Sequence, residues 1–156
     1  IPVTRVTWYG SQAFCEWRGG SLPTEAQWEK AAKGETDFTY PWGPNISCEH
    51  TNFRNCNIGQ SVEVGSYPSG ASPYGVEDMA GNVAEFTGDW YTKYYYENSP
   101  YENPPGPYKT DRIYTLVSRG GSWYSSSTYL RVFHRNNEFV RHSTYRNVGF
   151  RCVFTP

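Results

Sequence analysis

Apolar residues in the first 35 positions recur with helical spacing, and this periodicity is lost further along the chain. Thr7 is a suitable N-cap for a first helix, and the Gly19-Gly20 pair is a suitable end for it. The predicted apolar face of this helix consists of Ala13, Phe14 and Trp17.

A second helix is predicted directly afterwards. Thr24 is followed three residues later by Gln27, which is the spacing of a capping box. The apolar positions Trp28, Ala31 and Ala32 extend the helical pattern as far as Gly34. The sequence therefore predicts two helices, both close to the start of the chain.

Beyond the second helix, glycine and proline divide the sequence into short extended pieces. Residues 94–108 have the composition of a surface loop, and alternating apolar positions predict strands at 113–118 and 148–154. Neither an internal repeat nor a linker is recognisable. We therefore expect one α+β domain over residues 1–156, with two N-terminal helices, short antiparallel strands and much irregular loop.

The amino-acid composition indicates which side chains form the core. Only 37% of residues are hydrophobic, but 18% are Phe, Trp or Tyr, and such side chains bury enough area to build a core that is poor in Leu and Ile. The apolar runs are too short for a membrane span or a signal-peptide core, so we expect no direct membrane insertion. Because the chain opens on Ile1-Pro2-Val3, any leader is expected to have been removed or never included.

Charge is balanced overall but not along the chain. A net charge of −1 disfavours nucleic acid as a partner. Residues 119–156 nevertheless carry six arginines and a single acidic residue, Glu138, whereas residues 1–118 carry an acidic excess. Two interpretations follow: the two parts pair within one fold, or the arginines form a surface for an anionic ligand.

Four cysteines, Cys15, Cys48, Cys56 and Cys152, permit three disulfide pairings. An even count in a small, loop-rich chain favours disulfides and an oxidising compartment. Cys48 and Cys56 are close enough in sequence to close a local loop, and Cys15 and Cys152 would then connect the two ends of the domain.

Seven short strings occur in an order typical of one family. They are Val6-Thr7-Trp8-Tyr9, Cys15-Glu16-Trp17, Leu22-Pro23-Thr24-Glu25-Ala26-Gln27-Trp28-Glu29, Tyr40-Pro41-Trp42-Gly43, Asp78-Met79-Ala80-Gly81-Asn82-Val83, Arg119-Gly120-Gly121-Ser122-Trp123 and Gly149-Phe150-Arg151-Cys152. Together they resemble the formylglycine-generating enzyme, or sulfatase-modifying-factor, domain. The resemblance implies a C-type lectin-like fold and a domain that lacks the family's N-terminal portion. It also implies a Cys15–Cys152 bond.

The resemblance does not extend to the catalytic thiols. Catalytic members of the family oxidise a substrate cysteine to formylglycine and bind copper through two cysteines that follow the Gly-Gly-Ser string. The matching positions here are Ser125 and Leu130. A hydroxyl and an isobutyl group cannot supply soft thiolate ligands. We therefore expect no copper and no formylglycine-generating activity.

The resemblance also implies structural calcium. The matching ligands would be the carboxylates of Asp78 and Glu85 and the carbonyls of Gly81 and Val83, a set of hard oxygen donors that suits calcium. The alternative is that Asp78 and Glu85 cap turns or pair with arginine. A second family site would include Asn52 and the Phe53 carbonyl, but its downstream aspartate has no clear counterpart in residues 55–61.

Residues 123–146 have the composition of an antibody paratope, with aromatic rings for contact area, small hydroxyls for hydrogen bonds and arginines for charge. The segment is also similar to the variable regions of diversity-generating retroelement proteins, which display diversified ligand-binding residues on this same fold. The alternative is that several of these aromatics belong to the core. The predicted ligand-binding residues are Trp123, Tyr124, Tyr129, Phe133, His134, Arg135, Arg141, His142 and Tyr145.

These features together predict a non-catalytic binding domain in an extracellular or periplasmic location. Its ligand would be a protein or a small anionic or glycan molecule. Two alternatives remain. The domain is a structural or accessory subunit of a larger surface or membrane-associated assembly, or it is an oxidoreductase of the formylglycine-generating type that acts on protein thiols.

Overall fold

The computed structural model describes residues 1–108 and 115–154, and its regular structure there consists of two helices and one small sheet. The helices are α1 (Trp8–Trp17) and α2 (Glu25–Lys33), and the strands are β1 (Ala84–Trp90), β2 (Leu116–Arg119) and β3 (Val148–Phe150). Single 3-10 turns and irregular backbone connect them. None of the described helices is long and apolar enough to cross a membrane.

Both predicted helix caps are present. The Thr7 hydroxyl accepts the Gly10 N–H at 3.1 Å and begins α1. At α2, Thr24 accepts the Gln27 N–H at 3.2 Å while the Gln27 side chain accepts the Thr24 N–H at 2.9 Å, which completes the capping box. Gly34 ends α2 with a φ of 62°, in the left-handed region that glycine tolerates. The extent of α2 is as predicted.

The predicted apolar face of α1 is wrong. Trp8, Ser11 and Cys15 face the core, whereas Ala13, Phe14 and Trp17 are exposed, Trp17 to 77%. Long-range bonds decide the orientation of the helix, because Trp8 Nε1 donates to the Thr87 carbonyl at 2.7 Å and Cys15 is bonded to Cys152. A local hydrophobic pattern does not contain these two constraints.

The sheet has the order β2-β1-β3 and is mixed. β1 pairs antiparallel with β2, as expected, and it also pairs parallel with β3, which the sequence did not predict. Residues 120–147 carry the chain from one edge of β1 to the other, and β3 therefore enters in the direction of β1.

Both predicted strands are shorter than expected. β2 begins at Leu116, and residues 113 and 114 of the prediction lie outside the described residues. β3 ends at Phe150, after which Val153 forms only an isolated bridge with Ser21.

Two disulfides are present and match the predicted pairing. Cys15 and Cys152 are bonded with their Cα atoms 5.4 Å apart, and Cys48 and Cys56 with theirs 5.6 Å apart. The first closes a loop across 137 positions, so it removes far more conformational freedom from the unfolded chain than the second, which spans 8. Two structural disulfides indicate folding in an oxidising, non-cytoplasmic compartment.

A buried arginine connects α2 to the sheet. Arg119, at the end of β2, is 1% exposed, and its guanidinium lies over the Trp28 ring, 5.3 Å from the centroid. It donates to the carbonyls of His134 and Val132, both at 2.7 Å, and to the Glu29 carboxylate. The arginine therefore fixes both α2 and the chain that follows the sheet.

Two carboxylates extend this connection. Glu25, 1% exposed, accepts the forked guanidinium of Arg135 at 2.7 and 2.8 Å and lies 3.6 Å from Arg119. Glu85 on β1 accepts the Trp28 indole N–H at 2.7 Å and a second guanidinium fork, from Arg151, at 2.6 and 2.7 Å. We refer to Glu25, Trp28, Glu29, Glu85, Arg119, Arg135 and Arg151 as the buried charge network.

Asp89 is a further buried carboxylate beside this network. It is 2% exposed, and its Oδ2 accepts the N–H of Glu25 at the start of α2 at 2.6 Å. Its Oδ1 has no hydrogen-bond partner in the part of the chain that the structure describes. Burial raises the pKa of Asp89 to about 6.

We predict that Glu25→Gln lowers the free energy of unfolding by about 3–5 kcal/mol, because it removes the buried negative charge that Arg119 and Arg135 share. Urea unfolding measures the change. The matched control is Glu35→Gln, whose side chain is 83% exposed and pairs with Lys30 at the surface, and it should cost less than about 1 kcal/mol. Equal effects of the two substitutions would contradict the role of the network.

We predict that Asp89→Asn flattens part of the dependence of stability on pH. The folded pKa of about 6 exceeds the unfolded value of about 3.9, so the native state binds the proton more tightly. Wild-type stability therefore loses about 3 kcal/mol from this group as pH rises from about 4 to 6. The asparagine variant keeps an acceptor for the Glu25 N–H and lacks this loss.

Thermal unfolding of both proteins from pH 4 to pH 7 measures the difference. Asp37→Asn, at an exposed side chain that pairs with Lys33, is the control and should follow the wild type. Parallel curves for the wild type and Asp89→Asn would show that this carboxyl titrates normally.

Candidate functional site

A glycine pair at the end of β2 begins the candidate site. Gly120 and Gly121 have φ angles of 83° and 66°, in the left-handed region. A Cβ on Gly121 would also lie 2.7 Å from Leu130 Cδ1 and 2.9 Å from the Tyr129 carbonyl. Glycine is therefore required here, and it lets the chain turn tightly out of the sheet.

Hydroxyl and amide groups hold the turn that follows. Ser125 Oγ accepts the Ser122 N–H at 3.0 Å and lies 3.2 Å from Ser122 Oγ, which also accepts from Asn147 Nδ2 at 3.2 Å. The backbone N–H of Trp123 donates to the Asn82 carbonyl at 2.9 Å. This arrangement leaves the next side chain, Tyr124, 55% exposed.

Beside Tyr124 lies a small cleft of about 150 Å³. We call it the Tyr124 cleft, and its lining consists of Arg54, Ala84, Tyr124, Ser125, Tyr129, Asn136, Glu138, Phe139 and Asn147. Aromatic rings provide contact area, while hydroxyl and amide groups provide donors and acceptors. The cleft is therefore suited to holding a small polar group by stacking and hydrogen bonding.

The two positions that match the family's copper-binding cysteines lie in different environments. Ser125 lines the Tyr124 cleft, whereas Leu130 is fully buried against Tyr40, Phe53 and Ala80. Across residues 1–108 and 115–154, no group of three or more His, Cys, Asp or Glu side chains is arranged to hold a metal ion. The residues present do not fit copper.

Of the nine predicted ligand-binding residues, Tyr124 and Tyr129 line the Tyr124 cleft. Trp123 and Tyr145 pack against neighbouring rings and do not line the cleft. Trp123 is only 8% exposed, and Tyr145 packs against Phe139 with ring centroids 4.5 Å apart while its hydroxyl accepts the Val140 N–H at 3.1 Å. Core packing therefore uses two of the aromatic rings that composition assigned to the surface.

Arg135 is also not available to a ligand in the predicted way, because its guanidinium fork is bound to Glu25. Phe133 is 56% exposed but lines another cleft, beside α2, together with Tyr96 and Arg135. His134 is half-buried with its ring 4.7 Å from that of Tyr129, and burial, with the nearby Arg119 charge, lowers its pKa.

Arg141 and His142 lie beside the start of α1. The Arg141 guanidinium is 5.5 Å from the Tyr9 ring centroid and 5.3 Å from that of Trp90, and the His142 ring is 5.2 Å from that of Tyr9. Neither residue lines the Tyr124 cleft. The single surface predicted from the sequence is thus divided among several places.

The sequence analysis missed several residues of the cleft. Arg54 comes from a distant loop and donates through Nε to the Tyr124 carbonyl at 2.9 Å. Asn136, Glu138 and Asn147 lie within the segment whose composition drew attention, but nothing in their spacing distinguished them. Only tertiary structure brings Arg54 to the cleft, and no local pattern marks it.

The predicted calcium ligands Asp78 and Glu85 both have hydrogen-bond partners within the protein. Both Glu85 oxygens accept N–H groups of Arg151, and one also accepts the Trp28 indole. Asp78 Oδ2 accepts the Gly65 N–H at 2.8 Å. As arranged, these carboxylates match the alternative of a capped turn and an arginine pair, and a calcium site that they form with the Gly81 and Val83 carbonyls stays a prediction.

The second calcium position differs in one respect. Asn52 is fully buried and its Oδ1 has no hydrogen-bond partner among the described residues. Its Nδ2 donates to the Gln60 carbonyl at 2.8 Å. An unpartnered buried oxygen suits a cation, but no carboxylate joins it in a metal-binding group in the described chain. Calcium binding remains a prediction.

Comparisons with known proteins agree with the seven sequence strings. Mouse formylglycine-generating enzyme is 32% identical over 97% of this chain, which covers 44% of that enzyme. The serine/threonine-protein kinase pkn1 of Chlamydia caviae is 44% identical over 97% of this chain. The match spans 24% of the kinase, so the chain corresponds to only a part of these relatives.

A solved structure gives a similar result. Treponema denticola variable protein 1 superposes with a TM-score of 0.83 and 27% identity, over 96% of this chain and 69% of that one. The predicted C-type lectin-like fold and the likeness to variable proteins are therefore confirmed. The family model described as "Sulfatase-modifying factor enzyme 1-like domain" matches residues 1–156, and the chain belongs to that family.

Proposed function

We propose that this domain binds a ligand at the Tyr124 cleft and has no catalytic activity of its own. The observation that carries the proposal is that a cleft with an exposed tyrosine ring lies beside Ser125, where catalytic members of the family have a copper-binding cysteine. Ser125 lines the cleft in the position of a catalytic cysteine, and Tyr124 presents a ring that is 55% exposed. Exposed tyrosines give large contact area at low conformational cost.

The similarity to a variable protein supports this role. Treponema denticola variable protein 1 shares the fold over almost all of this chain. In this domain, the turn beneath Tyr124 is held by Ser122, Ser125 and Asn147, so the ring is positioned before a ligand arrives. Preorganisation of this kind reduces the entropic cost of binding.

The proposed partner is a protein or another polar ligand in an extracellular or periplasmic space, consistent with the two disulfides. The kinase relatives favour a second candidate. Their match is confined to about a quarter of their length, so the domain would act as an accessory module of a larger chain or assembly. The cleft would then face a permanent neighbour rather than an exchanging ligand.

Panning a random peptide library against the immobilised domain tests the binding proposal. Recovered peptides should lose at least tenfold in affinity for Tyr124→Ala/Tyr129→Ala, because both cleft rings are removed. Tyr94→Ala/Tyr101→Ala is the matched control, since both side chains are well exposed and neither lines the cleft. Peptides that bind the cleft variant as tightly as the wild type would place the binding surface elsewhere.

The enzyme alternative makes a separate prediction. With Ser125 and Leu130 in place of thiolates, incubation with cuprous ion, oxygen and a cysteine-containing peptide should form no more formylglycine than a copper-only blank. Mass spectrometry measures the outcome, with mouse formylglycine-generating enzyme as the positive control. Turnover by this domain at a rate above the copper-only blank would refute the non-catalytic assignment.

A further inference from the structure

Two arginines lie against the exposed ring of Tyr124. The guanidinium carbon of Arg54 is 5.3 Å from the ring centroid, and that of Arg146 is 5.8 Å from it. Arg146 also lies 5.1 Å from the centroid of Trp123. Residues that are 92 positions apart in the sequence thus bring two positive charges to one tyrosine at the mouth of the cleft.

Neither charge is neutralised in the part of the chain that the structure describes. The arginine–carboxylate pairs found there belong to Arg119, Arg135 and Arg151. Glu138 also lines the cleft, yet it forms no ion pair with Arg54 or Arg146. Both arginines are exposed, and of their guanidinium groups only Arg54 Nε has a hydrogen-bond acceptor there, the Tyr124 carbonyl.

The contacts of these arginines with the Tyr124 ring leave most of their N–H donors without an acceptor among the described residues. A cation–π contact uses the flat face of a guanidinium, whereas its N–H groups point outward in the plane. Those in-plane groups match the two oxygens of a carboxylate and can bind it bidentately. The ring of Tyr124 therefore positions the donors without consuming them.

We propose that the ligand of the Tyr124 cleft is a protein segment with an acidic side chain, whose carboxylate binds Arg54 and Arg146 at the edge of Tyr124. The proposal rests on the binding function given above and names the chemistry that the site selects.

Two amides in the cleft match a peptide unit better than they match a sulfate group. Asn136 Oδ1 accepts the Glu138 N–H, which leaves its Nδ2 as a donor, and Asn147 Nδ2 donates to Ser122, which leaves its Oδ1 as an acceptor. One free donor and one free acceptor match the N–H and C=O of a peptide unit. A sulfate ester has only acceptors and would leave the Asn147 oxygen unpaired.

NMR titration of the isotope-labelled domain tests the proposal with two small probes, N-acetyl-glutamate amide and its neutral counterpart N-acetyl-glutamine amide. The glutamate probe should give saturable shifts at Tyr124 and at the side-chain Nε signals of Arg54 and Arg146. Its affinity should exceed that of the glutamine probe by tenfold or more and should fall as salt is added.

Substitutions at the arginines provide the matched comparison. Arg54→Gln/Arg146→Gln should abolish the preference for the glutamate probe, and each single variant should reduce it several-fold. Arg18→Gln is the control, because Arg18 is exposed, carries the same charge and lies at the end of α1. If Arg18→Gln lowered the preference for the glutamate probe as much as the Arg54 and Arg146 substitutions do, only net charge would matter and the proposal would be overturned.

Other outcomes also decide the matter. Equal binding of the two probes would overturn the proposal, and so would tighter binding of inorganic sulfate than of the glutamate probe, which would point to a sulfated ligand. The peptides recovered by panning give a separate outcome. If they depend on Tyr124 and Tyr129 but bind the double arginine variant normally, only the assignment of Arg54 and Arg146 as carboxylate-binding residues is overturned. In that case the proposed function would stand.

Discussion

The constraint on which the structure depends is the need to pair the charges buried between α2 and the sheet. Arg119 and Glu25 are each only 1% exposed, and an unpaired charge at such depth would cost several kcal/mol. The backbone carbonyls of Val132 and His134 accept further hydrogen bonds from the Arg119 guanidinium. These bonds position the chain after β2, even though much of that chain has no regular secondary structure.

This network explains why the family strings lie where they do. The Leu22–Glu29 string supplies Glu25, Trp28 and Glu29, the Arg119–Trp123 string supplies Arg119, and the Gly149–Cys152 string supplies Arg151. Arg119 binds Glu29 of the distant Leu22–Glu29 string directly, and Glu85 on β1, which lies outside the strings, connects Trp28 to Arg151. The resemblance identified from the sequence consists in large part of buried polar chemistry and of the glycines that bring backbones close together.

Local features were predictable from the sequence because their causes are local. The Thr24–Gln27 capping box and the ends of α2 depend on a few adjacent residues, and the pattern located them correctly. The orientation of α1 and the parallel pairing of β3 depend on contacts across the chain, such as Cys15–Cys152 and Trp8–Thr87. Periodicity does not contain that information.

In the candidate site, too, local features were predictable and features that depend on contacts across the chain were not. Composition identified the segment that carries Tyr124 and Tyr129, but it could not separate displayed rings from packed ones, so it assigned Trp123 and Tyr145 to the surface. It also assigned Arg135 to a ligand, although buried Glu25 binds that guanidinium. Arg54 was missed because its approach to Tyr124 is a property of the folded chain alone.

The attachment of the chain between β2 and β3 has an evolutionary consequence. This stretch is held at its start by buried Arg119 and at its end by Arg151 and the disulfide at Cys152. Side chains that point outward between these two attachments contribute little to the stability of the fold, so they are free to change. Such a domain can acquire a new binding specificity by substitution at a few exposed positions while its folding energy is left almost untouched.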